Sequence, residues 1–161
     1  MEILKINLGN IILLDAELNG LAQPTEQNTS ETIIKGFINE VLPLSVKYWL
    51  LELNKEVQTI KELINKLREE LIKKYGSISE DGSVFIPLYK KGSEVYDESG
   101  NIISRELSDE YIKFQEEYST LLTEEKEIKF KPIPFTVLDK IETDKSYSFI
   151  LQNLVETNTI K

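Results

Sequence analysis

The chain has neither cysteine nor histidine among its 161 residues. Without cysteine there is no disulfide framework, no thiolate nucleophile and no cysteine-held metal. Without histidine there is no Ser-His-Asp triad, no usual zinc site and no side chain that titrates near neutrality unperturbed. The seven glycines form neither a Gly-x-Gly-x-x-Gly run nor a Walker loop, so no phosphate cradle is written into the chain. No stretch approaches ~18 uncharged apolar residues, so none is expected to span a membrane. The start, Met1-Glu2-Ile3-Leu4-Lys5, lacks the basic, apolar and small-residue order of a signal peptide. Most familiar enzyme designs are thereby excluded, and carboxylate and lysine chemistry remain.

What is present is acidic. Twenty-eight Asp and Glu face 19 Lys and Arg, for a net charge of −9. Such a field repels a phosphate backbone and disfavours a nucleic-acid partner, while it suits solubility or a basic protein partner. Glu116, Glu117, Glu124, Glu125 and Glu127 supply carboxylates in number, but Glu-rich stretches on amphipathic helices read as solvated faces rather than a two-carboxylate active site. The run Asp97 to Gly100 resembles a calcium loop only briefly. The positions that would need Gly and Glu hold Ile102 and Ser108, so a hairpin turn is expected. Lys73-Lys74 and Lys90-Lys91 are too sparse for a basic groove and read as helix-end and turn residues. No catalytic, cofactor-binding or metal-ligating residue is expected.

The most informative pattern is a long helix. Pro43 suits a first turn, nothing breaks the helix up to Tyr75, and Lys73, Lys74 and Gly76 make a stop signal. The span is ~32 residues, or ~48 Å at 1.5 Å per residue. Val46, Leu50, Leu53, Val57, Ile60, Ile64, Leu67 and Leu71 recur at alternating spacings of four and three, a heptad seam over nearly four heptads. Trp49, Leu63 and Ile72 widen the stripe, which favours a helical hairpin or bundle over an isolated coiled coil.

Elsewhere the pieces are shorter. Residues 2–7 alternate as a strand. Ile11, Leu14, Leu18 and Leu21 predict a helix over 10–21, stopped near Gly20 to Pro24. Residues 23–29 read as a linker, and Thr29 or Ser30 would cap a helix over 30–42 with Ile33, Ile34, Phe37, Ile38 and Val41 on one side. After Gly76 come a turn at Glu80-Asp81-Gly82-Ser83, a strand at Val84–Ile86, and a hairpin of Glu94–Tyr96 with Ile102–Ser104. Ser108 should cap a helix to about Glu125, and Glu127–Lys131 should be a strand. Thr136 and Asp139 should cap a short helix, and Tyr147–Val155 should form a last helix or strand.

The expected fold is therefore α+β and mainly α. A single domain over 1–161 would hold an antiparallel long-helix hairpin, a β-hairpin insert at 83–106 and short terminal helices. The 108–125 helix, ~27 Å long, cannot cover the whole seam of the long one. The remainder must meet the chain's own shorter helices or another protein, including a second copy. Candidate interface residues are Tyr48, Trp49, Val57, Ile60, Ile64 and Leu67. Tyr48 and Trp49 fit either an interface anchor or the base of the hairpin core.

The run Leu67-Arg68-Glu69-Glu70-Leu71-Ile72-Lys73-Lys74-Tyr75-Gly76, followed by Glu80-Asp81-Gly82, resembles a family of small uncharacterised proteins encoded by tailed bacteriophages. Phe114 to Glu127, Glu127 to Phe130 and Thr136 to Glu142 resemble that family's Glu-rich helix, strand and capped helix. The entry from Leu8-Gly9-Asn10-Ile11-Ile12 and the run Leu42-Pro43-Leu44-Ser45-Val46-Lys47 are also similar, whereas the 83–106 insert is longer and richer in strand than the pattern. The resemblance implies a phage context, in the host cytoplasm or the virion, and carries no functional residues. The expected function is non-enzymatic contact with phage structural proteins or with itself, as a minor virion or tail component or an assembly factor. The other expectation is a small acidic inhibitor of a host defence or nucleic-acid enzyme.

Overall fold

A computed structural model describes residues 1–25, 28–141 and 147–157. The fold is α+β and mainly helical, with antiparallel strand pairs. The chain divides into two compact units. The first comprises Met1–Glu62 with Glu125–Lys161, and the second Leu63–Glu124.

Strand β1 (Glu2–Asn7) opens the first unit and pairs antiparallel with β8 (Glu125–Phe130). Ile6, Ile128 and Phe130 are buried while Ile3 and Lys5 stay outside, so period-two alternation sets which face is dry. Helix α1 (Leu8–Asn19) follows without a loop. The Asn7 side chain accepts the Asn10 N–H at 2.7 Å, closing an N-cap. Gly20, at φ 78°, ends the helix by donating its N–H to the Ala16 carbonyl. Ile11, Leu14 and Leu18 are fully buried, and the helix ends about where the sequence placed it.

The next segment departs from expectation. Residues read as a linker and a helix form a hairpin of β2 (Gly20–Thr25) and β3 (Asn28–Lys35), then a 310 turn at Phe37–Asn39. Residues 26 and 27 of the expected linker lie outside the described residues. The apolar spacing at 33, 34, 37, 38 and 41 fits a helix, but Thr29, Thr32, Ile33 and Ile34 are β-branched and lose less in a strand. Pro24 is tolerated because the register shifts between Gln23 and Thr25 in a two-stranded ribbon. Gly36 must lack a Cβ, which would collide with the backbone of Leu18 and Asn19.

Helix α2 (Leu44–Tyr75) is continuous over 32 residues, as the seam predicts. The Pro43 carbonyl accepts the Lys47 N–H at 3.0 Å, so Pro43 sits one position outside the helix. Within the first unit α1 lies beside α2. Lys61 Nζ is 2.6 Å from an Asp15 carboxylate oxygen, Gln58 donates to the other, and Asn19 bridges Asp15 and Asn54 at 2.9 Å to each. Burial is the largest influence on Asp15 and pushes its carboxyl up, but Lys61, Gln58 and Asn19 together outweigh it and hold the pKa below the ordinary value.

Two other buried acids tie in the later chain. Glu17 accepts the N–H of Phe149 at 3.0 Å and of Ile150 at 3.3 Å, at the start of helix α4 (Ser148–Asn153). Burial raises its pKa more than those backbone bonds lower it. Glu40 accepts from the Tyr147 hydroxyl at 2.9 Å, and burial, then Glu40, pushes the Tyr147 phenol up. Residues 135–140 form a short helix of the 310 type, without the expected cap. Pro134 precedes it, and neither Thr136 nor another side chain caps it. Glu142 of the expected helix and the polar end after Thr157 lie outside the described residues.

The second unit begins on the end of α2. Gly76 donates to the Ile72 carbonyl at 2.7 Å, and a Cβ there would meet first that same Ile72 carbonyl oxygen and then the Val84 side chain and the Phe85 carbonyl. This glycine therefore closes the helix end by close approach, to the last turn and to the strand beside it, and not by a positive φ. β4 (Ser77–Ile78), which the sequence reading missed, pairs with β5 (Val84–Phe85), and β6 (Val95–Tyr96) pairs with β7 (Ile102–Ser104) as expected. Ser108 caps helix α3 (Asp109–Leu122), accepting the Tyr111 N–H at 3.1 Å. Lys74 bonds Glu117 at 3.0 Å, and Leu67 and Leu71 face Leu121 across a shallow cleft, so α3 runs antiparallel to the end of α2 as a helical hairpin.

Two outcomes follow. Leu14→Ala should cost ~2–5 kcal/mol in urea denaturation, whereas Leu63→Ala, at an exposed position, should stay within ~0.5 kcal/mol. Comparable losses at the two sites would contradict the burial pattern. Asp15→Asn should cost about 1.5 kcal/mol at neutral pH, the low end for a charge-assisted bond because Lys61 is partly open to solvent. Asp15 has a depressed folded-state pKa, so its contribution is complete above the unfolded value of ~3.9 and fades as pH falls through the lower folded value. A wild-type-minus-variant gap that stays constant down to the acid limb would refute the role given to Asp15.

Candidate interaction cleft

The six candidate interface residues divide sharply. Val57, Ile60 and Ile64 are buried in the chain's own core and are unavailable to a partner. The correction has a plain cause: the seam from Leu50 to Ile64 faces the fold, and the chain's own elements cover it. Leu67 is 42% exposed and Tyr48 is 55% exposed, while Trp49 is half-buried.

Tyr48 and Trp49 lie edge to face with ring centroids 5.1 Å apart. Trp49 walls a cleft of about 130 Å³ whose α2 side also includes Val46 and Leu50. The opposite wall is the segment Lys131-Pro132-Ile133-Pro134 after β8. That segment is pinned by the end of the chain, where Ile133 donates to the Leu154 carbonyl at 2.8 Å and Glu156 donates to the Ile133 carbonyl at 2.9 Å. The two prolines donate nothing, so this wall is stiff and apolar. Lys131 Nζ stands 5.4 Å from the Trp49 ring centroid, a cation over an aromatic face, and Glu156 lies at the rim.

The cleft is well below the ~300 Å³ lower end of small-molecule sites, and its lining is carbon-rich. It has room for about one apolar side chain. The aromatic pair was legible in the sequence. The opposing wall was missed, although two prolines two residues apart directly after a strand are a local signal for a rigid, extended edge. The buried acids Asp15, Glu17 and Glu40 lie away from this lining and serve hydrogen bonds within the fold. Among the described residues no three acidic side chains gather closely enough to hold a metal ion, and no helix is long and apolar enough to cross a membrane.

Comparison with protein-family models, with curated proteins and with solved structures finds no match in any of the three.

Trp49 is the chain's only tryptophan, so its emission reports on the cleft alone. Lys131→Ala should bare the ring face and increase collisional quenching by acrylamide. Lys126→Ala, at an exposed lysine of β8, should leave quenching unchanged. Equal quenching in all three proteins would show that Lys131 does not cover the ring.

Proposed function

We propose that this chain is a non-enzymatic protein acting through protein–protein contact, a bacteriophage minor virion or tail component or an assembly factor. The phage setting rests on the resemblance of Leu67–Gly76 and its neighbours to small phage-encoded proteins. The contact-based part rests on one observation: the Trp49 cleft joins a half-buried tryptophan, an exposed tyrosine and a stiff proline wall. Trp and Tyr are the residues on which interface energy concentrates, and pre-formed walls lower the ordering cost of binding.

Further support comes from the buried polar groups. Asp15, Glu17 and Glu40 each spend their carboxylate oxygens on partners in the chain, which suits scaffolding rather than proton transfer. The net charge of −9 keeps a second reading in play, an acidic inhibitor that competes for a basic groove on a host enzyme.

Mass spectrometry of purified particles and affinity capture from infected cells separate these readings. Stoichiometric presence in particles supports the virion role. Absence from particles with one basic host enzyme co-purifying supports the inhibitor. Trp49→Ala should weaken the recovered complex by ~2 kcal/mol, about 30-fold in Kd, with an unchanged far-ultraviolet spectrum. An unaltered Kd would remove the cleft from the interface.

A further inference from the structure

Asn19 is the one asparagine in the chain that glycine follows. Spontaneous loss of a side-chain amide is fastest at such a pair, because glycine has no side chain to hinder the approach of its own nitrogen. The Gly20 nitrogen attacks the Asn19 Cγ and gives up its proton. The bond from Cγ to Nδ2 breaks, and ammonia leaves with that proton. Water then opens the resulting cyclic imide at either carbonyl, leaving aspartate or isoaspartate at position 19. The step needs only water.

Two groups must be free for the ring to close, and the fold occupies both. Asn19 is the last residue of α1, and the Gly20 N–H is donated to the Ala16 carbonyl. Asn19 Nδ2 donates to an Asp15 carboxylate oxygen and to Asn54 Oδ1 at 2.9 Å each, and it lies 3.3 Å from the Asp15 carbonyl. Gln58 donates to the same two side-chain oxygens, so α1 and α2 together fix the amide. Such a side chain cannot swing its Cγ onto the Gly20 nitrogen without giving up those bonds. The backbone is clamped as well. Gly36 passes so close that a Cβ on it would collide with the Asn19 Cα and carbonyl carbon.

The product fits this place badly. An ionised aspartate donates nothing and sets a second negative charge against the Asp15 carboxylate. The cations that face the position are already engaged, Lys61 with Asp15 at 2.6 Å and Lys35, opposite Gly20 in the β2–β3 ladder, with Glu40 at 3.4 Å. Isoaspartate lengthens the main chain by a carbon where Gly36 leaves no room.

We propose that Asn19-Gly20 is a self-modification site that the fold holds shut. The folded chain keeps its amide, whereas a chain that unfolds is converted there and refolds with a weakened junction between α1 and α2. Escape of ammonia makes the change one-way, so it marks chains that have been unfolded. This inference goes beyond the contact-based reading and does not depend on it.

The test is peptide mapping by mass spectrometry of the full chain, held at mildly alkaline pH with and without guanidinium chloride. In denaturant Asn19 should gain the mass of an amide-to-acid exchange, while Asn28 and Asn153, followed by Thr29 and Leu154, should lag. The folded chain should convert Asn19 at least ~10-fold more slowly, since the helix end must open first. Asn54→Ala, which removes one acceptor, should speed conversion in the folded chain at unchanged helical content and leave the rate in denaturant unaltered. Asn19→Asp should have a lower denaturation midpoint at neutral pH. Its gap to the wild type should narrow as acid protonates the new carboxyl, which a merely lost hydrogen bond would not produce. Equal rates with and without denaturant overturn the inference. So does an Asn19 that stays intact when unfolded, a folded rate indifferent to Asn54→Ala, or an Asn19→Asp chain as stable as the wild type. No binding partner enters these readouts, so the contact-based reading stands or falls separately.

Discussion

Everything in this fold answers to the dry side of α2. Leu50, Leu53, Val57, Ile60 and Ile64 are each at most 4% exposed, and burying one such side chain is worth ~1.5–3 kcal/mol. A helix with that face cannot stand alone in water. Its middle lies beside α1, joined through Asn54, Gln58 and Lys61, and the Ile11, Leu14 and Leu18 side chains of α1 are themselves fully buried. The Asp15 cluster with Lys61, Gln58 and Asn19 marks where the two helices meet, because a carboxylate at that depth is tolerable only with its oxygens occupied. The antiparallel pairing of β1 with β8 then brings the beginning and the later part of the chain into the same unit.

The acidic composition divides between two uses. Most carboxylates lie in solvent and make the chain anionic. A few do structural service: Glu17 accepts from the backbone at the head of α4, and Glu40 takes the Tyr147 hydroxyl, which also donates to the Lys35 carbonyl at 3.1 Å. These bonds join residues more than a hundred positions apart in sequence. They fix a short helix and a buried tyrosine that have little propensity to order themselves. Buried polar groups in such positions give the packing a single register, since any other arrangement leaves an acceptor unpaired.

The core leaves uncovered, among other features of the described residues, the small cleft under Trp49 with its proline wall and the exposed β6–β7 hairpin. The cleft is concave, whereas the hairpin is thin, with strands of two and three residues whose apolar side chains stand in solvent.

The sequence by itself determined the elements whose signal is local. The extent of α2, Ser108 as a helix start, the β6–β7 hairpin and the strands β1 and β8 all follow from periodicity, caps and turns within a few residues. Tertiary structure decided the rest. The stretch from Ser30 has apolar spacing for a helix at Ile33, Ile34, Phe37, Ile38 and Val41 and β-branched residues for a strand, and the pairing of β2 with β3 settled it up to Lys35. Gly76 was legible as a helix stop, but that it must lack a Cβ for want of space beside the Ile72 carbonyl, Val84 and Phe85 shows only in the fold. The seam was visible as a stripe, but which of its residues face the chain's own core and which face outward depends on partners far along the sequence. Periodicity tells a helix which side is apolar; only packing tells it how much of that side is already covered.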